Sequence, residues 1–207
     1  DPDWRCYFGS IQNLYQKHPV KIDIAGTVET IAEITAEKLY EVYNVFYNLN
    51  NMILCVAGNV TVDGVLKVAD KMLKPCEKKE IKKAAEKFMK ANSDDVIDEM
   101  SATEEIVEEY LEQTFPVSMP LFNLGFKEKA DKPLNEKQLA CTDILLSALA
   151  SNTSILYRNL MDSNLINSSF SYELFEGPGY CSVIFGGESR APKQAAEMIK
   201  QYISDIK

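Results

Sequence analysis

Met52, Ile53, Leu54, Cys55, Val56 and Ala57 form an unbroken apolar run of six, preceded by Asn48–Asn51 and followed by Gly58–Asn59. A strand with one wet face alternates apolar and polar residues. A run without alternation reads instead as a strand buried on both faces. Such a strand needs a packed layer on each side, so the run predicts a sheet covered by helices. The flanking sequence offers those helices. Leu39, Val42, Tyr43, Phe46 and Tyr47 recur at helical spacing after Thr35, a good N-cap, with Glu37 in the favourable first turn. Residues 62–74 repeat the pattern, with Leu66, Ala69, Met72 and Leu73 predicted to face inward.

The remaining segments extend the same plan. Trp4, Tyr7, Phe8, Ile11, Leu14 and Tyr15 predict an amphipathic helix that stops before His18–Pro19. Residues 20–33 read as irregular. Leu121, Phe122, Leu124 and Phe126 predict a strand over 117–127, and a long helix is predicted over 135–150. Ser154 is placed to cap a short helix over 155–162. Phe170, Tyr172 and Leu174 alternate with polar residues, Glu176–Gly–Pro–Gly179 turns the chain, and Tyr180–Phe185 returns as a hairpin. A last helix is predicted over 192–206. Ile106, Val107, Tyr110 and Leu111 fit helical spacing better than alternation, but propensity does not settle that segment. The fold class expected is α/β (α+β), in two parts.

Charge marks the division. Residues 67–90 hold nine lysines against four acids, and residues 94–112 hold nine acids and no base. Composition shifts and cap signals cluster at Ala91–Asn92–Ser93, the best boundary between domains. The bland reading is a solvated linker and a solvated face; the sharper one is a docking surface.

Several functions are excluded by counting. A formal net charge of −9 makes the chain a poor ligand for nucleic acid or an anionic membrane. No unbroken apolar run approaches the roughly 18 residues of a membrane span. His18 is the only histidine, so a multi-histidine metal site cannot form within the chain. A lone histidine in a loop, with no Cys, Asp or Glu at ligand spacing, reads as structural. The cysteines at 6, 55, 76, 141 and 181 form no Cys-x-x-Cys clip. Their odd, scattered count suggests reduced thiols in a cytoplasmic protein, with Cys55 and Cys181 as core fillers. There is no P-loop, no Gly-x-Ser-x-Gly elbow and no Gly-x-Gly-x-x-Gly after a strand. Residue 1 is Asp with no signal-peptide pattern after it, and both ends read as cut, so an excised piece of a longer protein is expected.

Two stretches carry a likeness. One runs through His18–Pro19–Val20, Ile24–Ala–Gly26–Thr–Val–Glu29–Thr–Ile31, Ile34–Thr35, Tyr43–Asn–Val–Phe46–Tyr47, Asn51–Met52–Ile–Leu54 and Val56–Ala–Gly58–Asn59. In order and spacing it resembles a segment of the insulinase/pitrilysin-type zinc metallopeptidases, which include the mitochondrial processing peptidases. Leu124–Gly125–Phe126 and Ile155–Leu–Tyr–Arg–Asn–Leu160 through Leu165–Ile166 resemble, more loosely, the start of that family's second homologous half. Bacterial members described as processing proteases are the nearest likeness.

The resemblance implies two homologous mixed sheet-plus-helix subdomains of the processing-peptidase type, truncated at both ends. Residues 1–74 would end the first, catalytic-type half, 75–103 would be the linker, and 104–207 would open the second, non-catalytic half. It also favours a strand at 104–112. The family's zinc site is an inverted His-x-x-Glu-His helix plus a distant Glu, and none of that motif occurs here. By the family's order it would lie upstream of Asp1. The family's second half commonly carries a substrate-holding Arg and Tyr. Here Met161 follows Leu160 at the Arg position, and the Tyr position falls near Asn167 or Ser168. No catalytic or metal residue is therefore assigned to this chain. The expected parent is a zinc metalloendopeptidase that hydrolyses peptide bonds through a zinc-bound water, with zinc as cofactor in the parent and none in this chain. The partners implied are a peptide or protein substrate, the missing upstream half-domain and a paired family subunit. The alternatives are a non-catalytic structural subunit of the same family and a peptide-binding module.

Overall fold

A computed structural model describes residues 1–73, 82–83, 85–86, 106–128 and 133–206. The chain is a mixed α+β structure that divides into two compact units: Asp1–Ile24 with Ile97–Lys207, and Ala25–Val96.

The first unit is built on a three-stranded antiparallel sheet of β1 (Leu121–Glu128), β2 (Ser171–Gly177) and β3 (Tyr180–Glu188), in the order β1-β3-β2. The register places Leu124, Phe185 and Tyr172 in one row across the strands, and Phe126, Val183 and Leu174 in the next. Strand side chains alternate between faces, so these rows form one apolar face. Helices α5 (Glu136–Ala150), α6 (Ile155–Asp162) and α7 (Pro192–Asp205) complete a core with Leu146, Leu156, Leu160, Ala195 and Ile199. Each such Leu or Ile side chain, fully buried, contributes roughly 1.5–3 kcal/mol of transfer free energy.

The opposite face is covered too. Helix α1 (Pro2–Leu14) brings Ile11, Leu14 and Tyr15 onto Ile184 of β3. It lies close because β1 carries Gly125 there: a Cβ at that position would stand 2.7 Å from Leu14 Cδ1. The Lys127 ammonium sits 4.8 Å from the centre of the Tyr15 ring, a cation–π contact on the same face.

Local chemistry starts and stops these elements, at Ser154 and at the hairpin turn as the sequence predicts. Ser154 Oγ accepts from Tyr157 N–H at 3.0 Å, and Asn135 and Gln138 form a reciprocal capping box at the start of α5. The hairpin turns on Pro178–Gly179, with Gly179 at φ +80°, the backbone a Pro–Gly turn requires. Residues 136–162 include an 18-residue window of mean hydropathy 1.4, although no unbroken apolar run is that long. The capped break at Ser151–Ser154 splits this stretch into α5 and α6, whose Leu146, Ala150, Leu156 and Leu160 face the core.

The second unit contains α2 (Val28–Ala32), α3 (Ala36–Phe46) and α4 (Val62–Met72). Thr35 caps α3 as expected, through Lys38 N–H. Four expectations fail. Residues 20–33 are not wholly irregular, because Thr27 and Thr30 form a capping box that starts α2. Residues 52–57 do not join a sheet: among the described residues nothing pairs them, and Ile53 is 91% and Leu54 65% exposed. Cys55 is exposed rather than a core filler, whereas Cys181 is buried as expected. Leu66, Met72 and Leu73 are exposed rather than inward, and so are Leu39, Tyr43, Phe46 and Tyr47 of the α3 pattern. The physical reason is common to the strand and both helices. Apolar patterning states a demand for burial, and no described element of this unit supplies the layer.

In the first unit, 106–112 is neither helix nor strand. Val107 N–H donates to Asn13 O at 2.8 Å, a single backbone bond that no ladder continues. The predicted linker lies outside the described residues apart from 82–83 and 85–86, as do Cys76 and most of the lysine and acid runs.

Two glycines give opposite predictions. Gly187 has φ +153°, and a Cβ there would lie 2.9 Å from Phe170 Cα, so Gly187→Ala should cost about 1–3 kcal/mol. Gly9 lies inside α1, where a Cβ would meet only Leu111 Cδ2 at 3.5 Å. Gly9→Ala should stabilise by about 0.5–1 kcal/mol. Thermal or denaturant melts check both. A Gly187→Ala protein that melts with the wild type would contradict the β3 geometry.

Candidate functional site

The positions that the family likeness marks lie between α6 and β2. Helix α6 ends in a left-handed turn at Asn164, φ +54°. Asn164 N–H donates to Met161 O and Leu165 N–H to Leu160 O, both at 2.9 Å. These are the two bonds of a Schellman motif, and buried Leu165 supplies its apolar contact. The turn redirects the chain toward the end of β3.

There the chain is fastened. Asn167 Nδ2 donates to Glu188 Oε2 at 2.5 Å, and Asn167 Oδ1 accepts from Ser169 N–H at 2.8 Å. Ser169 Oγ in turn accepts from Glu188 N–H at 2.8 Å. Asn167 is thus committed to a latch between loop and strand. Ser168 is exposed, and Met161 lies partly exposed in the last turn of α6. A thioether provides none of the five fixed donors of a guanidinium, so Met161 cannot clamp a peptide carbonyl or carboxylate as an Arg would. The latch was not legible in the sequence. Asn after a short helix signals the turn, but nothing local pairs Asn167 with a strand 21 residues on.

A cavity of about 290 Å³ lies between α1 and the sheet, lined in part by Asp3, Cys6, Tyr7, Asn123, Glu173 and Glu188. Its thiol and its phenol are both held in their neutral forms. Burial, then the Asp3 carboxylate, pushes the Cys6 thiol up, so it is not a thiolate nucleophile. Burial and then the Glu173 charge push the Tyr7 phenol up to about 12. Neither the thiol nor the phenol of the lining is therefore an activated nucleophile.

His18 closes the other end of the α1 contact. It is 4% exposed, with its ring edge-on to Tyr180 at 5.1 Å. Nδ1 accepts from Val20 N–H at 3.1 Å, which places the proton on Nε2, 3.1 Å from Pro178 O. Both ring nitrogens are occupied. His18 therefore ties the loop after α1 to the hairpin turn and is structural. Among the described residues no three His, Cys, Asp or Glu side chains come together in a way that could hold a metal ion. The described residues do not fit a catalytic zinc, which needs three protein ligands.

Comparison with known proteins follows the same lines. Residues 33–207 match the family model described as the peptidase M16 inactive domain. The chain is 32% identical to the uncharacterized zinc protease YmfH of Bacillus subtilis (strain 168), over 98% of its own length and 46% of that protein. It is similar to the crystal structure of an M16-like peptidase from Alicyclobacillus acidocaldarius, with a TM-score of 0.67 and 28% identity. That match covers 98% of this chain and 46% of the other. The chain therefore spans about half the length of these proteins.

The His18 assignment separates two variants. In His18→Asn the side-chain oxygen can still accept from Val20 N–H, but the reach to Pro178 is lost. The cost should be about 0.5–1.5 kcal/mol. His18→Ala loses both bonds and should cost more, about 1–3 kcal/mol. Equal stability of both variants and the wild type in denaturant melts would show that this tie carries no load.

Proposed function

The chain belongs to the M16 peptidase family, and from that premise we propose that the intact protein is a zinc-dependent metalloendopeptidase of which this chain is the non-catalytic centre. The observation that carries the reading is the match of 33–207 to the family's inactive domain, in a chain similar to a protein named a zinc protease. The division proposed is the end of a catalytic-type half over 1–74, a linker over 75–103 and the front of a non-catalytic half over 104–207. The metal and the reacting groups belong to the polypeptide before Asp1, and no chemical step is assigned to residues of this chain.

What this chain contributes is mechanical. A peptide held between two halves needs a rigid wall on the non-catalytic side. The doubly covered sheet of β1, β2 and β3 supports that role. The substrate class is an extended peptide, which can pair with a sheet edge by strand addition. Met161 in place of the Arg, and Asn167 or Ser168 in place of the Tyr, argue that this half contacts the substrate weakly. The described cysteines are free thiols, which supports a reducing, cytoplasmic setting.

The test is hydrolysis of an unfolded peptide by the intact protein, with chelator and added zinc as controls. Cleavage should vanish with chelator, return with zinc and survive His18→Asn. Stoichiometric zinc without cleavage of any peptide would favour the structural-subunit reading. Loss of turnover in a folded His18→Asn protein would return His18 to the catalytic machinery.

A further inference from the structure

Helix α1 lies in the stretch assigned above to the catalytic-type half, yet Asp1–Ile24 packs with residues 97–207. This piece is braced within itself. Trp4 Nε1 donates to Asp23 Oδ2 at 2.7 Å, and Lys21 Nζ donates to Gln16 O. Its hold on the sheet is concentrated toward one end. Ile11, Leu14 and Tyr15 are buried, whereas Trp4 in the first turn is 45% exposed. The Tyr7 ring adds an edge-on contact with Phe175 at 6.1 Å. Beyond these, His18 Nε2 reaches Pro178 O, and Val107 N–H donates to Asn13 O.

The two faces of the sheet are closed differently. Toward α5, α6 and α7 the cover is apolar, with Leu156, Leu160, Ala195 and Ile199 all at 0% exposure. Ser182 stands opposite Lys127 and two residues from Ile184, so it belongs to the α1 face. Tyr15 OH and Ser182 Oγ are buried neighbours there. Neither makes a hydrogen bond of normal geometry among the described residues. Glu176 Oε2, also buried and unpartnered, lies elsewhere, beside the hairpin turn. A buried polar atom without a partner costs free energy that water returns on exposure. Farther along the α1 interface, the cavity of about 290 Å³ lies between Asp3 and Tyr7 of the helix and Asn123, Ser171 and Glu173 of the strands. Close-packed interiors hold few voids larger than a water molecule. Docking of α1 therefore leaves two hydroxyls unsatisfied and a polar void unfilled.

We propose that α1, with the loop to Ile24, is a releasable clasp that leaves the sheet as one piece while β1, β2 and β3 stay packed on α5, α6 and α7. Release wets Tyr15, Ser182 and the cavity lining, and it separates a small apolar set, Tyr7, Ile11, Leu14 and Tyr15, from the sheet. His18, bonded to the hairpin turn, is the fastening. In the intact protein the clasp follows directly on the polypeptide before Asp1. This inference rests on the reading that the reacting groups lie in that polypeptide, and on that reading the clasp sets how firmly they are joined to this sheet.

Two thiols already in the chain report on the clasp. Cys6 lines the cavity under α1, and Cys181 is buried in β3. The experiment is timed thiol labelling of the intact protein under native conditions, read cysteine by cysteine by peptide mass spectrometry. Cys6 should label at least about 10-fold faster than Cys181, because a local opening needs less free energy than a global one. Leu160→Ala weakens the core that release leaves intact. It should speed Cys181 at least about 10-fold and leave Cys6 unchanged. Low urea speeds an opening in proportion to the surface exposed, so it should accelerate Cys181 more steeply than Cys6, with no substitution needed. Tyr15→Phe keeps the ring beside Lys127 but removes an unpartnered hydroxyl, so it should slow Cys6 about 5-fold. Cys6 and Cys181 that label together and respond alike to urea would overturn the proposal, since α1 would then leave only with the whole fold. So would a Cys6 rate equal to that of the denatured protein, or one that Tyr15→Phe does not slow. The expected labelling in an intact protein that cleaves no peptide would leave the clasp standing and remove only the peptidase reading.

Discussion

Strand β3 is paired along both edges and buried on both faces, and the first unit depends on it. One face meets the α5–α6–α7 core through Val183 and Phe185; the other meets α1 through Ile184. A strand in that position tolerates no extra volume where another backbone approaches. Gly187 shows the limit, because the chain at Phe170 passes where a Cβ would be. The latch from Asn167 and Ser169 to Glu188 fixes the end of the same strand. Phe185→Ala would remove the side chain that joins the strand to its helices, a loss of about 3–5 kcal/mol for a buried Phe.

How much of this was legible in the sequence depended on where the stabilising partner lies. Helix starts are local: Thr35 and Ser154 each bond an N–H three residues on, and each could be read directly. The hairpin was equally local, because Pro178–Gly179 sets the turn and alternation sets the faces. The apolar run Met52–Ala57 was read correctly as a demand for burial and incorrectly as burial achieved. Pattern reports what a segment needs, and the partner need not be in the same chain. At 106–112 the likeness favoured a strand, but a strand exists only with neighbours, and this segment has one backbone bond to Asn13. The Asn167–Glu188 pair was invisible because it joins residues brought together only by the fold.

The same reasoning explains the absence of visible chemistry. Histidine is the usual ligand and proton carrier in a peptidase, and the only one here is consumed at both nitrogens by a loop-to-turn tie. The cavity beside α1 is lined by carboxylates, a raised thiol and a raised phenol, so its thiol and phenol are not activated nucleophiles. On the proposed reading, such a chain supports catalysis carried out by another part of the protein. Membership of the M16 family, through its inactive domain, gives that division of labour a place in a larger molecule.

Metal content measured side by side on the intact protein and on Asp1–Lys207 tests this division most directly. Native mass spectrometry should find one zinc on the intact protein and none on this chain at equal zinc activity. One tightly held zinc on Asp1–Lys207 alone, or none on the intact protein, would contradict the account.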